Sequence, residues 1–463
     1  MLTYDLSKRG NVPLYEFLYE RIKRDILCGE LRRGEKLPSK RSLAQHLSVS
    51  VITVQNAYEQ LLAEGYITSV AKSGYFVADV ETVSEVSTAF VQETENSISY
   101  PVDLVRGSAD EDSMAYSVWV RIMRGVITQY GKALLEPMHF QGVAVLRSAI
   151  ADFLKRFRGM TIDPSQIVIG AGTEYLYTLI MQLLGRDVVY GYEDPGYRKI
   201  REIIAINGVE GRPIIVDKKG LSVNALKESD VSVVHTSPAH HFPTGVTMPI
   251  GRRQELLSWT YADPRRYILE DDYDSEFRFS GKPIQTLFDI DRNDRVIYIN
   301  TFSKTISPSL RISYMVLPKS LLTKYRMTMS FYACTVSSLE QYVLAQYIAN
   351  GSFERHINRC RKLYRQKRNE ITDIISKSLF SPYVTIMEED AGLHFLLHID
   401  SAYTEDELRA FFVQHGVRIS FLSEYSVVGN HIPKCAVINY AGVSVDRFKE
   451  TIAQLEVDFK MLL

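Results

Sequence analysis

The chain has 463 residues, too many for one hydrophobic core, so two or three domains are expected. It is 46% hydrophobic and 24% charged, the ordinary composition of a soluble globular protein. The net charge of −1 excludes a generally basic nucleic-acid coat, so any affinity for DNA must come from a local patch.

The start, MLTYDLSKRGNV, has no apolar core behind its charges, so no signal peptide is expected. Pro13 presets a helix in which Leu14, Leu18, Ile22 and Ile26 recur every four residues beside Phe17, one buried stripe ended by Gly29. Ser39 can N-cap a second, short helix with Leu43 and Leu47 inside. The tripeptide SVS makes the turn. Ser50 can cap a third helix with Val54, Ala57, Leu61 and Leu62 inside, ended by Gly65. The run YITSVAKSGYFVADV reads as a β-hairpin with Gly74 near its tip. Two helices joined by a tight turn, then a hairpin, is the winged helix-turn-helix order.

Residues 79–103 carry six acids and no lysine or arginine, without strand or helix periodicity over most of their length. They predict a solvated linker, set at 81–101, between a head of residues 1–80 and a body of residues 102–463. The other reading is one irregular surface loop. In the body, QIVIGAG, DVVYGYEDPG, VSVVHTSP, RYILEDDYDSEF, RVIYINTFSK and RISYMVLP alternate with amphipathic helical stretches. That alternation predicts an α/β domain with a mainly parallel sheet, whose ligand sits at the carboxyl ends of the strands. Cys28, Cys334, Cys360 and Cys435 lie far apart with no metal-ligand spacing. No metal and no disulfide framework are expected, which fits a reducing cytoplasm. No apolar run approaches bilayer length, so no membrane association is expected.

TFSKTISPSLR, residues 301–311, places Lys304 between hydroxyls and an arginine. A lone lysine after a strand is ordinarily a surface residue. Here Thr301, Ser303 and Arg311 suit a phosphate, and GAGTE opens a helix at Gly172 and Thr173 whose N-terminus adds to an anion site. Asp271, at another strand end, can keep a pyridine nitrogen protonated. Tyr273 can hydrogen-bond a phenolic oxygen, and Tyr197 can stack on a ring. A phosphate, an aldehyde-binding amine, a pyridine partner and a stacking ring together describe pyridoxal 5′-phosphate.

Residues 12–78 resemble the DNA-binding head of the GntR family through LPSKRSLAQHLSVS, TVQNAYEQLLAEGY and SGYFV. The resemblance implies that the helix after Ser50 enters the major groove. Gln55 and Asn56 would then read base edges, and Val51 or Ile52 would touch a thymine methyl beside Thr53. Lys40, Arg41 and Lys72 would hold phosphates or reach the minor groove. Many relatives carry arginine where this chain has Val51, so its operator should differ.

From about residue 102 onwards the chain resembles fold-type I aminotransferases. A GntR-like head on such a body is similar to the MocR/GabR-type regulators, through HHFPTG, LEDDYDSEFR, TFSKTISPSLRISYMVLP and AGLHF. The resemblance implies that Lys304 bonds the cofactor aldehyde, Asp271 holds the ring nitrogen, Tyr273 meets the phenolic oxygen and Tyr197 stacks. Gly172, Thr173, Thr301, Ser303 and Arg311 would hold the phosphate. It also implies a head-to-tail homodimer on double-stranded DNA.

Three departures bear on function. Phe242 stands where transaminases commonly have asparagine before PTG, leaving His240 or His241 to substitute or to be structural. Val437 replaces the arginine that binds a substrate α-carboxylate. Lys199 and Glu424 align with two arginines of GABA-responsive relatives, and Glu424 would repel a carboxylate. The expectation is a ligand-responsive transcription regulator. Its small-molecule effector is an amine or amino acid, or pyridoxal phosphate itself, as in vitamin B6-synthesis regulators. The other reading is an active aminotransferase with a DNA-binding head. Only a residual half-reaction is expected of the chain as an enzyme.

Overall fold

The computed structural model describes residues 2–10, 12–71, 73–80, 100–107, 114–279, 281, 283–388, 392–429 and 431–459. Lys72 and most of the expected linker, residues 81–99, lie outside them. The chain divides into two compact units, residues 1–97 and 98–463.

In the first unit, helix Leu14–Leu27 buries Phe17, Leu18, Tyr19, Ile22 and Ile26. Gly29 then takes a φ of 78°, a left-handed turn that suits glycine. The Ser39 hydroxyl accepts the Ser42 N–H at 3.1 Å and starts helix Lys40–His46. Ser50 does the same for Thr53 at 3.1 Å and starts helix Val51–Ala63. The inner face of that helix is Val54, Ala57, Tyr58 and Leu61. Leu62, expected inside, is 39% exposed. Eight residues beyond Val54, it points about 80° away from the stripe, and Tyr58 fills the core instead. Strands Ile67–Val70 and Gly74–Val77 pair antiparallel from Ile67 opposite Val77 to Val70 opposite Gly74. Three helices and this wing share one core around Leu18, Ile22, Leu43, Val54 and Leu61.

The second unit is built on an eight-stranded sheet. Its spatial order is Ile167–Gly170, Ser313–Val316, Val296–Thr301, Tyr267–Asp271, Val233–Thr236, Tyr190–Asp194, Gly211–Asp217 and Gly220–Leu221. The five strands from Val296–Thr301 to Gly211–Asp217 pair in parallel. Ser313–Val316 runs antiparallel to both its neighbours. Most of these strands are buried throughout, as a sheet covered on both faces requires. A second sheet, Val384–Met387, His394–Ile399 and Cys435–Asn439, is antiparallel. It shares a core with helices Ser352–Lys377 and Val445–Phe459 through Phe395, Ile438, Tyr364 and Leu455. No helix among the described residues is long and apolar enough to cross a membrane.

The strand directions decide where chemistry collects. Parallel strands bring Asp271, Thr301, the turn after Gly170 and the turn after Asp194 to one edge of the sheet. Ser313–Val316 begins at that edge because it is antiparallel, with Ser313 opposite both Thr301 and Gly170. Arg311, just before it, therefore arrives beside the others.

Candidate functional site

Lys304 stands in a turn that packing holds still. Phe302, Thr305 and Ile306 on either side are buried. The Phe302 N–H donates to Ile312 O, and the Ile306 N–H donates to Phe302 O, both at 2.9 Å. The Lys304 ammonium donates to Gly107 O at 2.8 Å. A Cβ on Gly107 would lie 3.0 Å from that nitrogen and 3.2 Å from Asn439 Oδ1, so the approach is close. Burial lowers the Lys304 pKa, with Lys199 adding to the effect and Asp274 and Asp271 opposing it. A lowered pKa raises the neutral, nucleophilic fraction of the amine.

Asp271 is buried at the end of its strand. Its Oδ2 accepts from Tyr177 at 3.3 Å and lies 3.4 Å from His235 Nε2, while Oδ1 has no hydrogen-bond partner. Leaving a buried carboxylate oxygen unmatched costs about 1–3 kcal/mol or more. A protonated ring nitrogen would satisfy that atom. The Tyr273 hydroxyl sits 3.2 Å from His240 Nδ1, which pairs with Asp274 at 2.7 Å. The other His240 nitrogen has no partner. Burial, reinforced by Asp274 and Asp271, holds the Tyr273 hydroxyl well above its ordinary pKa, so it stays a proton donor.

Tyr197 is 44% exposed and packs edge-on against Phe242 at 5.8 Å. Phe242 in turn meets Tyr425 at 5.3 Å and His394 at 5.1 Å. Gly172 caps helix Thr173–Leu184, and a Cβ there would lie 2.2 Å from an Arg311 nitrogen. The Ser303 hydroxyl, buried, has no partner. Thr301 is tied into the turn around Ser303. Its oxygen accepts from the Ser303 N–H at 3.1 Å and from Ser313 at 2.8 Å, and it donates to Ile312 O at 3.5 Å. These bonds hold the Ser303 turn.

The description "Aminotransferase class I and II" matches residues 118–455, and "Bacterial regulatory proteins, gntR family" matches residues 14–77. The chain is 39% identical to the uncharacterized HTH-type transcriptional regulator YdeL of Bacillus subtilis over 99% of its own length and 100% of the relative's. The chain belongs to the MocR/GabR-type subfamily of GntR transcription regulators. It is 31% identical to the pyridoxine biosynthesis regulator PdxR of Corynebacterium glutamicum over 88% of each chain. It is 29% identical to the probable rhizopine catabolism regulator MocR of Rhizobium meliloti over 99% and 96%. A kynurenine aminotransferase from Pyrococcus horikoshii shares the body's fold, with a TM-score of 0.67 at 23% identity over 78% of this chain and 91% of that one. The regulator is thus a DNA-binding head joined to an aminotransferase-like body.

The substrate-side expectations divide. Val437 is wholly buried among Leu396, Leu422 and Cys435, so that position is apolar core. Glu424 is engaged within the chain. Its carboxylate accepts the Phe421 N–H and the Arg409 guanidinium, each at 2.9 Å, and caps a short turn. Lys199 reaches Glu174 at 3.4 Å, and Arg198 pairs with Glu202 at 2.7 Å. Gly107 and Tyr177 lie outside every motif quoted above, while Glu174, His235 and Asp274 lie within quoted stretches but were given no role there.

On the head, Ile52 is 70% exposed and Val51 42%. Arg41 and Asn56 are also exposed. Ser50 and Thr53 bond each other at 2.7 Å and serve the cap. Gln55 sits between Lys40, which donates to its oxygen at 3.3 Å, and Glu59, which accepts from its amide at 2.8 Å. Such a chain pre-orients the Gln55 amide.

Proposed function

We propose that this regulator carries pyridoxal 5′-phosphate on Lys304 and that loading of this site changes how the head binds its operator. The observation that carries the reading is the buried Asp271, whose Oδ1 lacks a partner in the same cluster of strand ends as Lys304. When bound, the cofactor supplies an aldehyde to which amines add and a ring that draws electrons once its nitrogen is protonated. Asp271 keeps that proton in place, and Tyr177 and His235 hold the carboxylate still. Tyr273 donates to the phenolic oxygen, with His240 and Asp274 setting its direction. Tyr197 covers one ring face. Arg311, Ser303 and the helix start at Gly172 and Thr173 receive the phosphate.

DNase footprinting at the gene's own upstream region tests this, with and without pyridoxal phosphate. A footprint that changes for wild type and not for Lys304→Ala is expected, and identical footprints in all four lanes would sink the reading. The effector is an amine without a carboxylate at the Lys199 position, or pyridoxal phosphate itself, which is in keeping with the similarity to PdxR. A carboxylate entering a partly buried site needs a cation, and Lys199 already serves Glu174. GABA and simple α-amino acids at sub-millimolar concentration are therefore expected to leave both footprint and absorbance unchanged. Saturable spectral conversion by GABA would overturn this, and release of keto acid would favour an active aminotransferase.

The head contacts DNA through the helix after Ser50. Gln55→Ala is expected to weaken operator binding by about 1–3 kcal/mol, the range for a base-reading side chain. Lys40→Ala would weaken binding to all sequences and flatten the salt dependence. Wild-type operator affinity in Gln55→Ala would show that another helix face reads the bases. One head covers one half-site, which favours a dimer, and the family resemblance implies that this homodimer is head-to-tail. Sedimentation of a monomer at micromolar concentration with intact operator binding would exclude that form.

A further inference from the structure

Glu174 is the first acid of helix Thr173–Leu184, two residues beyond the Gly172 cap. Its two oxygens face two different cations. Oε2 accepts from Arg311 at 2.7 Å, and Oε1 lies 3.4 Å from Lys199. A Cβ on Gly172 would lie 2.2 Å from the Arg311 nitrogen and 2.8 Å from Glu174 Oε2, so the pair closes directly over the helix start. Burial works to raise the Glu174 pKa, but its own backbone N–H, Arg311 and Lys199 overcome this and leave it below the usual range. A helix N-terminus with a backbone N–H, an arginine and a lysine is the donor set a phosphate monoester would use. The chain's own carboxylate already takes that set.

We propose that Glu174 sets the specificity and affinity of this site by competing with the phosphate of the cofactor for Arg311, Lys199 and the helix start. This rests on the cofactor reading given above. Binding of a phosphorylated pyridoxal requires the Glu174 carboxylate to leave Arg311, and loss of the cofactor lets it return. The exchange keeps the site anion-matched in both states and weakens cofactor retention. Loading therefore follows the free concentration of the phosphorylated cofactor, as a sensor requires and a committed enzyme does not. The Arg311–Glu174 pair is partly exposed, 50% and 38%, so the competition is moderate rather than absolute.

The test is titration of full-length wild type and Glu174→Gln with pyridoxal 5′-phosphate and with pyridoxal, followed by visible absorbance. Glutamine keeps the volume and removes the charge. About three- to tenfold tighter binding of the phosphorylated form in the variant is expected, with pyridoxal little changed. Inorganic phosphate should also raise the thermal midpoint of the variant more than that of wild type. Equal or weaker binding of the phosphorylated form in Glu174→Gln would mean that Glu174 only orients Arg311, and overturns this inference alone. An equal gain for pyridoxal also overturns it, because the phosphate would not be the group in competition. No absorbance band in either protein overturns the cofactor reading and this inference together.

Discussion

Replacing Lys304 with alanine is expected to abolish the visible absorbance band of the purified protein and to reduce retained cofactor from about one per chain to none. The turn itself should survive, because its position depends on Phe302, Ile306 and the backbone bonds to Ile312 rather than on the lysine side chain. The Gly107 carbonyl loses its ammonium partner, a small change next to the removal of the proposed covalent anchor. Circular dichroism of the variant should match wild type, which separates lost attachment from lost folding. A band of equal strength that borohydride still traps would show that another lysine carries the cofactor. Affinity for non-specific DNA should be unaltered, because the head supplies those contacts.

The second large effect is on stability. Arg158 ends helix Ala144–Arg158 and donates to Asp272 at 2.6 Å, with both side chains 2% exposed. Arg158→Met leaves the aspartate buried with, among the described residues, the Tyr298 hydroxyl at 2.7 Å still bonded to its side chain. Removing one partner of a buried ion pair costs about 3–5 kcal/mol, because the remaining charge is uncompensated. The body's calorimetric transition should fall sharply while the head's stays in place. Adding Asp272→Asn to Arg158→Met should recover much of the loss, since the pair as a whole contributes little beyond its own desolvation. The effect also reaches the site, because Asp272 follows Asp271 and fixes the strand end that aims it. Weaker cofactor retention in Arg158→Met is expected for that reason. An unchanged transition in the single variant would refute the account.

How far the sequence could be read follows from the range of each interaction. The three head helices were legible because their signals are local. Ser39 and Ser50 cap the helices they precede, and the Leu18, Ile22 and Ile26 stripe repeats with the helix period. Leu62 was misplaced because it lies at the margin of the buried stripe, about 80° from Val54, where apolar character alone does not decide burial. The strand ends carrying Asp271 and Thr301 were legible from apolar runs that stop at small or polar residues.

Partnerships across the chain were not legible. Arg311 meets Glu174 across 137 residues, Arg158 meets Asp272 across 114, and Lys304 meets Gly107 across 197. Glu424 was read only as a charge beside a ligand, and the turn its carboxylate closes on Phe421 and Arg409 gave no signal in the sequence. The sequence by itself therefore determined the two-part architecture, the helices and strands, and the residue types a phosphorylated pyridine cofactor needs. Only the tertiary structure decided which of those residues are already spoken for. Helix and strand patterns follow from backbone geometry over a few residues. Which charges meet depends on strand order and direction, and those follow from how the whole chain packs its faces together.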